Sequence, residues 1–260
     1  MLLHEFLPGM IVGLVGGLTS GLLGVSPGGG LVVFSVLLLG AEQHVAQGVS
    51  LVAQVPPTSL SGVRQYWARG QRSPSIWFVL LGAGFLVGGV AGAKAAATAS
   101  RVFLQWTYVL YLVALGVLVI ARPSRPSDGR LALRAGHAVS PVALSAVGAF
   151  AGFSSGFLGI GGGLAMTVGL TAWLKIPQRQ AQMVSLVLLA IPVTVPAAWV
   201  YWREGSLAPW PVLLGVILGL VLGTDVGARL AHRVGDKMLR RLLIAFVVAM
   251  ALFMANEALQ

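Results

Sequence analysis

Long apolar runs, broken at regular places by glycine or by charge, dominate the pattern of this chain. Five occupy about residues 6–24, 29–40, 45–63, 76–95 and 103–121, and five more lie at about 141–160, 164–174, 180–198, 209–228 and 239–256. The period-two alternation of a half-buried strand is absent, so the runs predict helices and not an outer-membrane barrel. Residues 76–93 carry no charge and are long enough, as a helix, to cross a hydrocarbon core of roughly 30 Å. The second run of each set, at about 11 or 12 residues, is too short to span. Each predicts a half-helix after a break, so that the first two runs form a hairpin dipping into the membrane. The vertices fall on Gly24-Val25-Ser26-Pro27-Gly28-Gly29-Gly30 and on Gly159-Ile160-Gly161-Gly162-Gly163. Glycine weakens a helix by roughly 1 kcal/mol per residue and bares backbone groups that lipid cannot satisfy. Packed protein, trapped water or a polar solute must meet that backbone.

The two sets of runs are copies of each other. At an offset of 135 residues, positions 13–70 align with 148–205 without a gap, and 20 of the 58 pairs are identical. Ser20-Gly21 matches Ser155-Gly156, Ala46-Gln47 matches Ala181-Gln182, and Val49-Ser50-Leu51-Val52 matches Val184-Ser185-Leu186-Val187. Pro57 matches Pro192, and Tyr66-Trp67 matches Tyr201-Trp202. The expected organisation is a first transmembrane repeat over 1–121, a polar cytoplasmic linker over 122–138 and a second repeat over 139–260.

Loop charge sets the expected topology. If each hairpin returns to its starting side, 64–75, 122–134, 175–179 and 229–241 share one face with 3, 4, 2 and 5 Lys and Arg, 14 in all, against Lys94, Arg101 and Arg203 opposite. If the first two runs made one crossing, the split would be 9 against 8. The positive-inside rule selects the first arrangement. The expected fold class is therefore an all-α polytopic membrane protein of two inverted-topology repeats, each a broken re-entrant-like hairpin plus three spanning helices, with both termini outside. Inverted repeats are the plan by which many secondary transporters expose one midplane site to each side in turn.

Composition agrees: 57% of the 260 residues are hydrophobic, 9% are charged, and mean hydropathy is +0.90. The net charge of +10 would suggest nucleic acid in a soluble protein, but here it sits in short loops and reads as topology, with lipid and not nucleic acid as the partner. No cysteine is present, so disulfide and thiol chemistry are excluded. The first residues, Met1-Leu2-Leu3-His4-Glu5, lack the basic region of a cleaved signal and read as mature sequence.

At each vertex a half-helix begins with unsatisfied N–H groups and the positive end of its dipole. Gly28, Gly29 and Gly30, with Gly161, Gly162 and Gly163, would let an anion approach those groups closely. Downstream, Gln47, Ser50 and Gln54 share one helix face, as do Gln182 and Ser185. Such neutral donors suit an oxyanion, while interhelical glue is the competing reading. Ser26 sits within the first vertex opposite Gly161 of the second. Pro57 and Pro192, with Pro56 and Pro196, should kink the third runs, and Thr58 and Thr194 are placed to give hydroxyls to the freed carbonyls. The Tyr66-Trp67 and Tyr201-Trp202 pairs read as interfacial anchors. Asp225 is the one carboxylate well inside a spanning run and a candidate for proton coupling, although Arg229 at i+4 offers it an ion pair. His44 and His137 read as loop residues, and no spacing suits a metal or cofactor. Nor is there a nucleophile and base constellation, so an enzyme is not expected.

Together these residues resemble the sulfite exporter TauE/SafE family of membrane permeases. The resemblance rests on Gly21-Leu22-Leu23-Gly24 with Gly28-Gly29-Gly30, on residues 156–163 and 181–186, on Tyr201-Trp202-Arg203-Glu204-Gly205, and on residues 223–230, and it covers about 6–255. The first vertex departs from the pattern, with Ser26-Pro27 where the second has Gly161-Gly162. The resemblance implies a secondary carrier exporting sulfur-containing anions, such as sulfite or organosulfonates, across the bacterial inner membrane. Two other classes stay open at this stage, a passive anion channel and a membrane enzyme or assembly factor handling sulfur species. Oligomeric state is not fixed by the sequence, a homodimer being one option.

Overall fold

The computed structural model describes residues 2–23, 26–56, 73–121, 139–231, 234 and 236–259. Eleven helices and no strand occur among the described residues. The first five are α1 (Leu2–Leu23), α2 (Pro27–Leu39), α3 (Gln43–Ala53), α4 (Ser75–Thr98) and α5 (Arg101–Ala121). They are followed by α6 (Pro141–Leu158), α7 (Gly163–Ala172), α8 (Gln178–Ala190), α9 (Val195–Arg203), α10 (Trp210–Ala231) and α11 (Asp236–Ala258). Among the described residues five helices are long and apolar enough to cross a membrane, or six if α8 and α9 count as one bent span. Gly24 and Val25 of the first vertex, the linker 122–138, Pro57, Thr58, Tyr66-Trp67 and His137 lie outside the described residues.

As the short second runs predict, α2 and α7 are helices of 13 and 10 residues, each starting just after a break. Pro27 opens α2 and Pro141 opens α6, where a missing N–H costs nothing and the fixed φ suits a first turn. Gly40 ends α2 in the left-handed conformation, with its N–H on the Ser35 carbonyl.

Three expectations need correction. The single third run of the second repeat is two helices, α8 and α9, bent by 50° at 191–194. Pro192 has no N–H for a continuing helix and Pro196 suits a new helix start, so two prolines turn a kink into a break. Thr194, expected to relieve that break, has its hydroxyl buried without a hydrogen-bond partner among the described residues. His44 is not in a loop but in the first turn of α3, where Nε2 lies 3.0 Å from the Ala96 carbonyl oxygen near the end of α4.

Glycine every fourth residue makes two seams, and each joins one repeat to the other. A Cβ added at Gly9, Gly13, Gly17 or Gly21 of α1 would fall 2.1–2.4 Å from the carbonyl oxygens of Val212, Val216, Leu220 and Thr224 of α10. Reciprocally, Gly215, Gly219, Gly223 and Gly227 meet the carbonyls of Phe6, Met10, Leu14 and Leu18 at 2.2–2.3 Å. Gly84, Gly88 and Gly92 of α4 meet the carbonyls of Ser145, Ala149 and Phe153 of α6, and Gly148, Gly152 and Gly156 return the contact on Leu81, Phe85 and Gly89. Numbers rise together along both seams, so the paired helices run parallel. Lipid offers little hydrophobic drive for helix association, so close backbone packing of this kind, with carbonyl oxygens against Cα–H groups, supplies the attraction.

The last helices of the two repeats also pair, but head to tail. Arg101 at the start of α5 holds Glu257 at the end of α11 across 2.8 Å, while Gly116 faces Val247. Val12, Leu31, Val49, Val216 and Leu220 are fully buried on one side, and Leu81, Phe85, Leu144, Met166 and Met183 on the other.

Candidate functional site

The two hairpin vertices touch. A Cβ at Gly28 would fall 2.4 Å from the Ile160 carbonyl carbon, so the start of α2 lies against the bend that follows α6. The two bends differ in construction. At the second, Gly159, Gly161 and Gly162 take φ of +72°, +77° and +67°, a left-handed path that glycine alone follows without strain. At the first, Ser26 and Pro27 have replaced Gly161 and Gly162, and Ser26 takes an ordinary φ of −56°. Gly28, Gly29 and Gly30 are thus not in the break, as the sequence suggests, but in the first turn of α2; Gly163 is likewise the first residue of α7.

α3 delivers the polar side chains. Ser50 and Gln54 are one turn apart on the face turned to the vertices, both buried. The Ser50 hydroxyl is 2.6 Å from the Gly159 carbonyl oxygen and 3.2 Å from that of Gly28, one from each vertex. Gln54 donates from Nε2 to the Ser50 carbonyl and hydroxyl oxygens at 3.0 and 3.1 Å, and accepts from Ser26 Oγ at 3.4 Å. Ser26 also donates to the Ile160 carbonyl at 3.0 Å. The second repeat reproduces part of this set: Ser185 donates to the Gly163 carbonyl at 3.1 Å, as its counterpart Ser50 does to Gly28. At position 189 a leucine stands where the first repeat has Gln54, and it covers Gly163 as Gln54 covers Gly28. Gln182 is buried to a middling degree and makes an interaction of its own.

These bonds make the Gln/Ser face partly glue. Ser50 spends its single proton on backbone carbonyls, and Gln54 fills the space beside Gly161, its Oε1 only 1.9 Å from where a Cβ there would sit. Ser50→Ala leaves a buried carbonyl short of its donor, at a cost of about 1–3 kcal/mol. The purified variant is expected to melt lower and to transport less, in thermal unfolding and vesicle flux measured side by side.

Three more residues belong to the site. Tyr108 of α5 donates to the Gly29 carbonyl at 2.6 Å, tying the first half-helix to the α5–α11 pair. Gln47 lies with its stem against Gly159, whose Cβ position is 2.8 Å from Gln47 Cα. Tyr201 places its hydroxyl 2.9 Å from both Gln47 Oε1 and the Gly156 carbonyl. Tyr201 is therefore no interfacial anchor: it is 2% exposed, whereas its neighbour Trp202 is 57% exposed. The sequence hides this because the break before α9 sets which of the two faces inward.

Beside the first vertex is a cavity of about 30 Å³, lined by Ser26, Gly29 and Gly30 on one side and by Leu112, Phe246 and Met250 among others. That is room on the scale of one water, so a larger solute enters only if the lining moves. Among the described residues, the side chains shown hydrogen-bonded to the vertices are neutral. Asp225 is elsewhere, on α10, paired with Arg229 at 2.6 Å with side chains 60% and 78% exposed. Among the described residues no group of acidic, histidine or cysteine side chains could hold a metal ion.

The arrangement has half-helices starting at a shared point, neutral donors around it, and spanning helices enclosing it. No curated protein and no solved structure matches the chain. A family model described as sulfite exporter TauE/SafE matches residues 9–254 of the 260. The carrying residues of the earlier resemblance all fall inside that span. On this match over nearly its whole length, and on its set of apolar spanning helices, the chain is a polytopic membrane protein and belongs to the TauE/SafE sulfite exporter family.

Proposed function

We propose that the protein is a secondary carrier that exports small sulfur-containing anions, sulfite or an organosulfonate, across a bacterial inner membrane by alternating access. The observation that carries this reading is the meeting of the two vertices, where Ser26 and Ser50 of the first repeat bond the backbone at Ile160 and Gly159 of the second. A single site shared by both repeats is what alternating access requires. No side chain caps the starts of α2 and α7, so their first N–H groups and the positive ends of two helix dipoles favour an anion there without a buried lysine.

In this reading the repeats are inverted, with both termini on the periplasmic side and 122–138 in the cytoplasm between repeats 1–121 and 139–260. Helix directions support it. α5 and α11 are repeat counterparts and run head to tail, while α1 runs parallel to α10 and α4 to α6. The glycine seams also support a particular division into moving parts. Each binds the first helix of one repeat to the fourth run of the other along most of its length, so the rocking bodies are α1 with α10 and α6 with α4, and not the two repeats. The narrow cavity corresponds to the occluded stage of the cycle. Asp225, on a rocking helix and paired with Arg229, is the proposed coupling residue.

Counterflow tests the reading. Proteoliposomes loaded with unlabelled sulfite are expected to accumulate external labelled sulfite several-fold faster than empty ones. Equal rates in loaded and empty vesicles, or no uptake above protein-free vesicles, would contradict a carrier.

A further inference from the structure

We infer that Tyr201 is a positioning residue for the substrate, holding Gln47 so that its amide N–H groups take an oxygen of the anion. The inference rests on the carrier reading and deepens it. Gln47 is fully buried. Its Oε1 accepts from the Tyr201 hydroxyl, whereas its Nε2, with two N–H donors, has no hydrogen-bond partner among the described residues. Buried donors left unpaired forfeit their hydration, so an acceptor that arrives from outside is favoured there. The place is not arbitrary. Gln47 Cα, Cβ and Cγ lie 2.8–3.1 Å from the Cβ position of Gly159, which puts the side chain against the left-handed bend of the second vertex.

The tether has its own logic. Tyr201 has one proton and two acceptors at 2.9 Å, Gln47 Oε1 and the Gly156 carbonyl, so it links the glutamine to α6 one turn before the vertex. It comes from α9, beyond the break at 191–194, so the hydroxyl reaches the site only because that helix is displaced from the line of α8. A glutamine free to rotate would present N–H or C=O to the solute equally. One whose carbonyl is held presents N–H, and the site then prefers an anion over a cation or a neutral donor. An ordered water at Nε2 would relieve the same burial but would not couple Tyr201 to substrate affinity.

The test is a double-mutant cycle on labelled sulfite counterflow in proteoliposomes, with Tyr201→Phe, Gln47→Met and the pair. Tyr201→Phe is expected to raise KM about tenfold with Vmax within about twofold, as for loss of one hydrogen bond to a charged ligand. Gln47→Met should raise KM at least as much, and the double variant no further than Gln47→Met alone. A lower unfolding midpoint with KM unchanged, or KM effects that multiply in the double variant, would overturn the inference and leave Tyr201 a strut for Gly156. If Tyr201→Phe does not fold, Gln47→Met decides alone, because it removes the amide at nearly constant volume: an unchanged KM overturns the inference. A wild type without sulfite counterflow is a different result, which defeats the carrier reading itself and this inference with it.

Discussion

Replacing Gly152 with valine is expected to leave little or no folded protein in the membrane. Its Cβ would fall 2.1 Å from the Phe85 carbonyl oxygen, with Phe85 Cα at 2.7 Å, so the obstacle is backbone and cannot rotate away. Relief would require α6 to move off α4, and Gly148 and Gly156 on either side hold the same close approach. Overpacking of a flexible core costs about 1–3 kcal/mol. Here a whole seam must open, which places the effect above about 4 kcal/mol. Gly82, on the same α4 but with only a Leu188 methyl at 3.6 Å, is the control: Gly82→Ala should be tolerated. Fluorescence-detected size exclusion of detergent extracts reads the contrast. A monodisperse Gly152→Val peak at wild-type height would refute the seam.

Gly162→Ala is the second large effect, and it separates vertex from scaffold. The residue has φ +67°, where an L side chain costs roughly 1–2 kcal/mol. Its Cβ would also lie 2.7 Å from the Ala151 carbonyl oxygen and 2.5 Å from the Phe85 ring. The ring can shift by a few tenths of an ångström, but the carbonyl belongs to the seam helix α6. The bend must therefore change path, and with it the Gly159 and Ile160 carbonyls that Ser50 and Ser26 hold. Sulfite counterflow is expected to fall at least tenfold even in the fraction that folds, since a displaced site loses well over 1.4 kcal/mol. The same substitution at Gly29, in the first turn of α2 with only the Tyr108 hydroxyl at 3.7 Å, should lower flux far less. Equal loss at both positions would mean that the left-handed bend has no special part.

Much of this architecture is legible in the sequence because membrane helices are long and uniform, so their interruptions stand out. The 135-residue repeat, the short second runs and the glycine vertices all follow from run length and identity at one offset. Glycines at 9, 13, 17 and 21 are equally visible, but their partners at 215, 219, 223 and 227 are not, since pairing across repeats depends on how the chain closes. The inward turn of Tyr201 was hidden for a related reason. Two neighbouring aromatics look alike in a pattern, and the 50° break upstream decides which one is buried. Ser50 and Gln54 lie on the predicted face, but that face cannot say whether a hydroxyl meets a solute or a carbonyl. In Ser50 it meets two carbonyls, one from each vertex: that of Gly159, past the end of α6 where carbonyls have no helical donor, and that of Gly28 in the first turn of α2.

Thermal unfolding of the purified protein with a set of sodium salts tests most directly whether an anion is taken up where the vertices meet. A ligand of the folded state raises stability by RT ln(1 + [L]/Kd), so sodium sulfite or a small sulfonate should raise the midpoint with the logarithm of its concentration. Sodium chloride at equal ionic strength should not, and Gly162→Ala should abolish the shift. A midpoint that ignores every sulfur anion, or one that follows the cation instead, would contradict the account.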